Sequence, residues 1–182
     1  LRGPNGLWTR VDPEDFTIDR YLHSVERRIE GWRMHVEGAM WGARSNIAPN
    51  SAHIAVTELW SAGLTSGVIT QNVDGLHLVA GLPRESLSEI HGDVRRVACL
   101  GCASEQPIEI VLKRVDAGEQ DPPCLECGGI LKPSTVMFGE LLPPAEIEKA
   151  ERFAANADAV LVIGSTMSVY PAAQFPLSAR RR

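Results

Sequence analysis

A parallel α/β sheet wound on both sides by helices is the fold class this sequence predicts, on three observations. Short β-branched or apolar runs alternate with helical patterns, at Val68-Ile69-Thr70, Leu87 to His91, Ser134 to Phe138 and Ala159 to Ile163. Polar clusters stand at the carboxyl ends of those runs, where open α/β sheets bind ligands: Gln71-Asn72-Val73-Asp74, His91-Gly92, Phe138-Gly139-Glu140 and Gly164-Ser165-Thr166. The length of 182 residues suffices for one substantial core with a small satellite.

The elements follow in order. Leu1 to Trp8 reads as loop, punctuated by Gly3, Pro4 and Gly6. A helical stretch runs from about Asp19 to Val36, with Tyr21, Leu22, Val25, Ile29 and Trp32 interleaved among charges. Asn50 or Ser51 can cap the next helix, in which Ala52, Ala55, Val56, Leu59 and Trp60 define one buried face that Gly63 can end. The strand at 68–70 delivers Gln71 to Gly75, and Leu76 to Ala80 forms a helical turn before the strand at 87–91. Pro143-Pro144 opens a helix with Ile147, Ala150, Ala154 and Ala157 on one stripe. Ala159 to Ile163 is a continuous apolar run, expected as a strand buried on both faces.

The four cysteines of the chain fall into two Cys-x-x-Cys pairs, Cys99/Cys102 and Cys124/Cys127, with residues 103–123 between them. Two such knuckles joined by a hairpin can wrap one tetrahedral ion, and a closed set of four thiolates suits zinc in a structural role. The alternative is two disulfides or four buried thiols. No signal peptide is visible, so an oxidising compartment is not implied and a cytoplasmic location is expected. A net charge of −5 argues against a general nucleic-acid-binding surface. No apolar run approaches the roughly 20 residues that span a bilayer. The terminal Arg180-Arg181-Arg182 reads as a solvated tail.

Taken one at a time, the polar residues have ordinary explanations. His23 and His35 fit a polar helix, His53 and His77 local packing, Asp74 a helix cap and Asn72 a turn. Gly164-Ser165-Thr166 suits a phosphate or ribose through its amides and hydroxyls, but many such turns hold no ligand.

The combination is more specific. Thr70-Gln71-Asn72-Val73-Asp74-Gly75-Leu76-His77, Glu89-Ile90-His91-Gly92, the two cysteine pairs, Pro133 to Glu140 and Gly164 to Pro171 together resemble the sirtuin family. Arg2-Gly3 with Gly6-Leu7-Trp8, and Pro49-Asn50 with His53, extend the resemblance over nearly the whole chain. It implies an incomplete Rossmann-like domain from 1–92 and 133–182, carrying a helical segment at about 14–45, with a small zinc module inserted at 93–132. The implied activity is NAD-dependent protein-lysine deacetylation, with NAD as co-substrate and an acetylated-lysine protein as partner. In that family the acyl oxygen attacks the ribose carbon, nicotinamide leaves, and a histidine acts as base on the ribose hydroxyls. Nicotinamide and O-acetyl-ADP-ribose are the products.

The resemblance assigns that base to His91, and a histidine suits the task because its pKa of about 6.5 lies near working pH. Catalysis would rest on His91 and Asn72. Gln71 and Asn72 would contact the nicotinamide ribose, and Asp74 the nicotinamide amide. Gly164, Ser165 and Thr166 would hold the adenosine side, and Arg2 the cofactor loop. Val136, Phe138 and Gly139 would form the apolar tunnel and backbone edge for acyl-lysine. The family's longer-acyl specialists carry a Tyr-x-x-Arg pair, and Trp32-Arg33-Met34-His35 holds none, so acetyl is expected over succinyl.

The sequence also departs from the pattern. It opens after the family's glycine-rich turn, places Leu1 where an aromatic usually sits, and closes before two further strands, so it reads as a fragment. Rival expectations are a sirtuin-like mono-ADP-ribosyltransferase, a truncated domain that binds zinc and peptide without turnover, and a zinc-ribbon interaction protein.

Overall fold

The structure is a computed structural model that describes residues 12–38 and 47–179. The chain divides into two compact units, one formed by 1–46 with 93–141 and the other by 47–92 with 142–182. Among the described residues no helix is long and apolar enough to cross a membrane.

The first unit holds helices α1 (Ile18–His23), α2 (Val25–Val36) and α5 (Ile108–Asp116), with strands β3 (Gly92–Cys99), β4 (Glu105–Pro107) and β5 (Leu131–Thr135). The expected single helix over 19–36 is two, because Ser24 takes extended backbone angles between them. Its amide closes α1 on the Arg20 carbonyl, and its hydroxyl accepts from the Arg27 amide at 3.2 Å to cap α2. Helix α2 buries Arg28, Trp32 and His35, at helical spacing along one face. This corrects the expectation for His35, which lies inside rather than on a polar face.

Helix α5 answers with Ile108, Val111 and Leu112, and the two helices pack together. Trp32, Val97, Cys99, Ile108, Val111, Leu112, Cys124 and Leu131 form one apolar cluster. Each large side chain in it contributes about 1.5–3 kcal/mol by leaving water. The strands form a sheet in the order β4-β3-β5, with β3 and β4 antiparallel in the register Arg96↔Pro107, Val97↔Gln106 and Ala98↔Glu105. The strand expected over Ser134 to Phe138 lies earlier, at 131–135, and Phe138 instead makes an isolated parallel bridge with Thr17.

The second unit holds α3 (Ser51–Ser61), β1 (Val68–Thr70), α4 (Leu76–Val79), β2 (Leu87–Glu89), α6 (Pro144–Asn156) and α7 (Phe175–Ala179). β1 and β2 pair in parallel, Val68↔Leu87 through Thr70↔Glu89, as an α/β reading requires. The α6 stripe is as expected at Ile147, Ala150 and Ala154, which pack with Ile90, Ile69, Ala172 and Phe175, whereas Ala157 falls just beyond the helix as its C-cap. Polar contacts pin α6 to β2. The Ser88 hydroxyl donates to the Glu146 carbonyl at 2.6 Å, and the Glu89 amide donates to the Glu146 carboxylate at 2.9 Å. Lys149 donates to the Leu87 carbonyl at 2.9 Å, and Arg84 pairs with both Glu89 and Glu146. Gly67 is obligatory in this packing, since a Cβ there would fall 2.5 Å from the Phe153 ring.

Two expectations fail in this unit. Helix α3 is capped by Asn50 as read, but its inward face carries His53, Val56, Thr57 and Trp60, while Ala52, Ala55 and Leu59 are exposed. The neighbour is α4, whose His77 ring lies 4.8 Å from the His53 ring, so this contact sets the helix rotation. Ala159 to Ile163 forms no strand, and Leu161 is 73% exposed. A strand exists only when a neighbour takes its N–H and C=O groups, and among the described residues no strand pairs with this run.

Candidate cofactor site and metal centre

The carboxyl ends of β1 and β2 carry the polar residues that the sequence singles out. The ladder runs one step past β2, where the Ile90 amide donates to the Thr70 carbonyl at 3.2 Å. The next residue on each chain segment then meets: His91 Nδ1 lies 3.1 Å from the Gln71 carbonyl. A carbonyl can only accept, so Nδ1 carries the proton and the lone pair of the neutral ring lies on Nε2. The Gln71 side chain in turn donates from Nε2 to the Ser165 hydroxyl at 3.1 Å. Ser165, Gln71 and His91 are thus joined in one run of hydrogen bonds.

The adjoining turns are held locally. The Asn72 amide donates to the Thr70 hydroxyl at 3.1 Å, which leaves the Asn72 residue exposed. Asp74 accepts from the Leu76 amide at 2.9 Å, as a residue preceding a helix does. The Met167 amide donates to Ser165 Oγ at 3.2 Å, and the Thr166 and Ser168 hydroxyls lie 2.8 Å apart. Gly164 has φ +65° in this turn, a conformation that favours glycine. Within the second unit, therefore, Gln71, His91 and Ser165 are brought into contact, with Asn72, Asp74, Gly164 and Thr166 on the same loops. Arg2 lies outside the described residues.

Val136, Phe138 and Gly139 lie in the first unit, just beyond β5. Phe138 has both peptide groups occupied: its amide donates to the Phe16 carbonyl and its carbonyl accepts from the Ile18 amide, each at 3.0 Å. Its ring is half exposed. Gly139 follows with φ +80°. One feature of this loop is invisible as a pattern in the sequence. Lys132, buried on β5, donates to the carbonyls of Pro133 at 3.0 Å and Thr135 at 2.6 Å and to the Glu140 carboxylate at 3.0 Å.

The metal centre lies in the first unit. The four cysteine sulfurs lie within 4.8 Å of one another, with Cys99–Cys127 at 3.4 Å and Cys102–Cys124 at 3.8 Å. Four thiolates at about 2.3 Å from a tetrahedral ion stand about 3.8 Å apart, so the donor set fits such an ion. Amides of Gly101 and Gly129 donate to Cys99 and Cys127 sulfurs at 3.3 and 3.4 Å. A Cβ at Gly129 would lie 3.1 Å from the Cys99 and Cys127 sulfurs, closer than an ordinary contact, so a side chain there would press on the knuckle. Hydrogen bonding from Ser104, and from the Cys127 and Glu126 amides, holds Cys124 down to about 6. The Gly129 amide lowers Cys127, but the sulfurs of Cys99 and Cys102 outweigh it and push that thiol up to about 12. Four thiolates packed this closely repel one another, and a cation among them offsets that repulsion. They are the residues that would hold a structural zinc.

Paired parallel strands whose carboxyl ends bear a hydrogen-bonded histidine, in a chain that also carries a four-thiolate cluster, define an α/β protein of the nucleotide-binding kind with a site for a structural metal. The comparisons make this specific: the Sir2 family model matches residues 1–171, and the chain belongs to the Sir2 family. NAD-dependent protein deacetylase 2 of Streptomyces coelicolor is 43% identical over 175 residues, covering 94% of this chain and 70% of the relative. NAD-dependent protein deacetylase of Caldivirga maquilingensis is 42% identical over 177 residues, covering 97% of this chain and 65% of the relative. A solved structure of Sir2 with a p53 peptide and NAD+ superposes with a TM-score of 0.82 at 33% identity, over 100% of this chain and 70% of that one. The chain thus spans about two thirds of the length of these relatives.

Proposed function

We propose that this chain carries the catalytic centre of an NAD-dependent protein-lysine deacetylase. The observation that carries the reading is the hydrogen bond that fixes His91 Nδ1 on the Gln71 carbonyl. It presents an imidazole with its basic nitrogen at Nε2, at the end of paired parallel strands, where this fold class holds ligands. NAD, when bound, supplies an activated ribose carbon and the acceptor for the acetyl group.

The chain's own residues have separable roles in this reading. His91 Nε2 takes the proton from a ribose hydroxyl. Gln71, anchored to Ser165, and the exposed Asn72 orient that ribose. Asp74 has a second carboxylate oxygen for an amide donor, since one oxygen serves the Leu76 amide. Gly164, Ser165 and Thr166 offer hydroxyls and a glycine-shaped turn to the adenosine side. Val136, Phe138 and Gly139 take the acyl-lysine, whose neutral stem suits apolar walls. Support comes from relatives named as NAD-dependent deacetylases at above 40% identity, and from the structural neighbour described with peptide and NAD+.

The test is incubation of the protein with an acetyl-lysine peptide and NAD. Stoichiometric release of nicotinamide and free lysine, with the acetyl group on ADP-ribose, is the expected result. Retention of label from NAD on protein would instead assign mono-ADP-ribosyl transfer.

A further inference from the structure

We propose that the ion pair of buried Lys132 with half-buried Glu140 is a positioning device for the acyl-lysine edge, so that peptide affinity depends on it and NAD affinity does not. The inference rests on the functional reading above for its substrate, and on geometry for the device itself. An ammonium has three protons to donate. Lys132 spends them on the Pro133 carbonyl, the Thr135 carbonyl and the Glu140 carboxylate, at 3.0, 2.6 and 3.0 Å. The same carboxylate oxygen accepts from the Met137 amide at 2.9 Å, and the Glu140 amide donates to the Met137 carbonyl at 3.1 Å.

One buried cation therefore ties the end of β5 to the far end of the loop, and Val136 to Gly139 lie between the two ties. Phe138 is held from the opposite side by Phe16 and Ile18. The loop closes as a ring of hydrogen bonds around its own backbone, which fixes its shape before any ligand arrives. Preorganisation of this kind lowers the ordering cost of binding. Breaking one partner leaves the other charge buried and unpaired, which opens the loop locally. Neither residue belongs to the loops that carry Gln71, His91 or Ser165, and the effect is confined to one substrate.

The experiment compares wild type with Glu140→Gln, Glu140→Ala and Lys132→Met in steady-state kinetics, together with amide exchange at Met137 measured at residue resolution. Glu140→Gln keeps an oxygen for the Met137 amide while removing the charge, and guards against a variant that fails to fold. The expected result is a peptide KM raised about tenfold in Glu140→Ala and about threefold in Glu140→Gln, with NAD KM and kcat within about twofold, the signature of lost ground-state binding. Met137 exchange should quicken about tenfold in Glu140→Ala while the α5 amides keep their protection. Equal changes in both KM values, or none in either, would overturn the proposal. If wild type shows no deacetylation, the functional reading fails instead, and Met137 exchange unchanged in Glu140→Ala would still overturn the device.

Discussion

Arg28 on α2 donates from Nε to the carboxylate of Asp121 at 2.8 Å, across 93 residues of chain. Its Nη1 also donates to the carbonyls of Tyr21 and Leu22, at 3.0 and 3.1 Å. The Arg28 side chain is only 8% exposed, so the charge depends on these partners. Asp121→Ala is predicted to destabilise the protein by about 3 kcal/mol, because it strands a buried cation. Arg28→Met/Asp121→Leu together should cost far less, since an apolar pair leaves no charge unpaired. Chemical denaturation of the single and double variants measures both.

Metal analysis should give one zinc per chain, lost on replacing any of Cys99, Cys102, Cys124 or Cys127. Trp32 shares an apolar cluster with Cys99 and Cys124. A strong chelator should therefore shift Trp32 emission to longer wavelength as the cluster admits water, and added zinc should reverse it. Emission unchanged after full metal removal would separate the helix packing from the metal.

His91→Ala should lower kcat by about 10²–10⁴ with the thermal midpoint retained, the usual cost of losing a general base. The ring is partly exposed and its Nδ1 is tied to a backbone carbonyl, so little packing is lost with it. Activity within about threefold of wild type would place the base elsewhere.

Acid stability should turn on His35. Burial holds its pKa down to about 4, against about 6.5 for a solvated imidazole, and its Nδ1 has no hydrogen-bond partner among the described residues. Between those values the unfolded chain binds the proton and the native chain does not. Stability is then complete above pH about 6.5 and falls as the pH drops toward 4, by at most about 3 kcal/mol. His35→Leu should move the acid-unfolding midpoint to lower pH, as followed by circular dichroism. No movement would show that other groups govern the transition.

The parts of the molecule legible in the sequence were those specified by local pattern. The cysteine pairs, the α6 stripe of Ile147, Ala150 and Ala154, and the strands read at 68–70 and 87–91, of which the second closes at 89, all carry their signal in local spacing or composition. The parts that were not legible depend on partners far along the chain. Helix α3 has apolar residues on more than one face, and contact with α4 selects the face bearing His53 over that bearing Ala52 and Leu59. Val160 to Ile163 has the composition of a buried strand, but pairing makes a strand, and composition does not. The division at Ser24 had a local signal, a serine three residues before Arg27, that the continuous run of helix-forming residues on both sides concealed. At the site, the loops could be placed from sequence, whereas the contact of Gln71 with both His91 and Ser165 could not, because it spans 20 and 94 residues.

Both compact units are assembled from two stretches of chain, with passages between units at 46/47, 92/93 and 141/142. Shortening the polypeptide from either end takes half of one unit and orphans its complement. A lineage can therefore exchange the cysteine-bearing unit with a relative only through three matched recombination joints. One of those joints falls one residue after His91. That joint also cuts β3 after its first residue, Gly92, so an exchange there must preserve the strand that leads to Cys99.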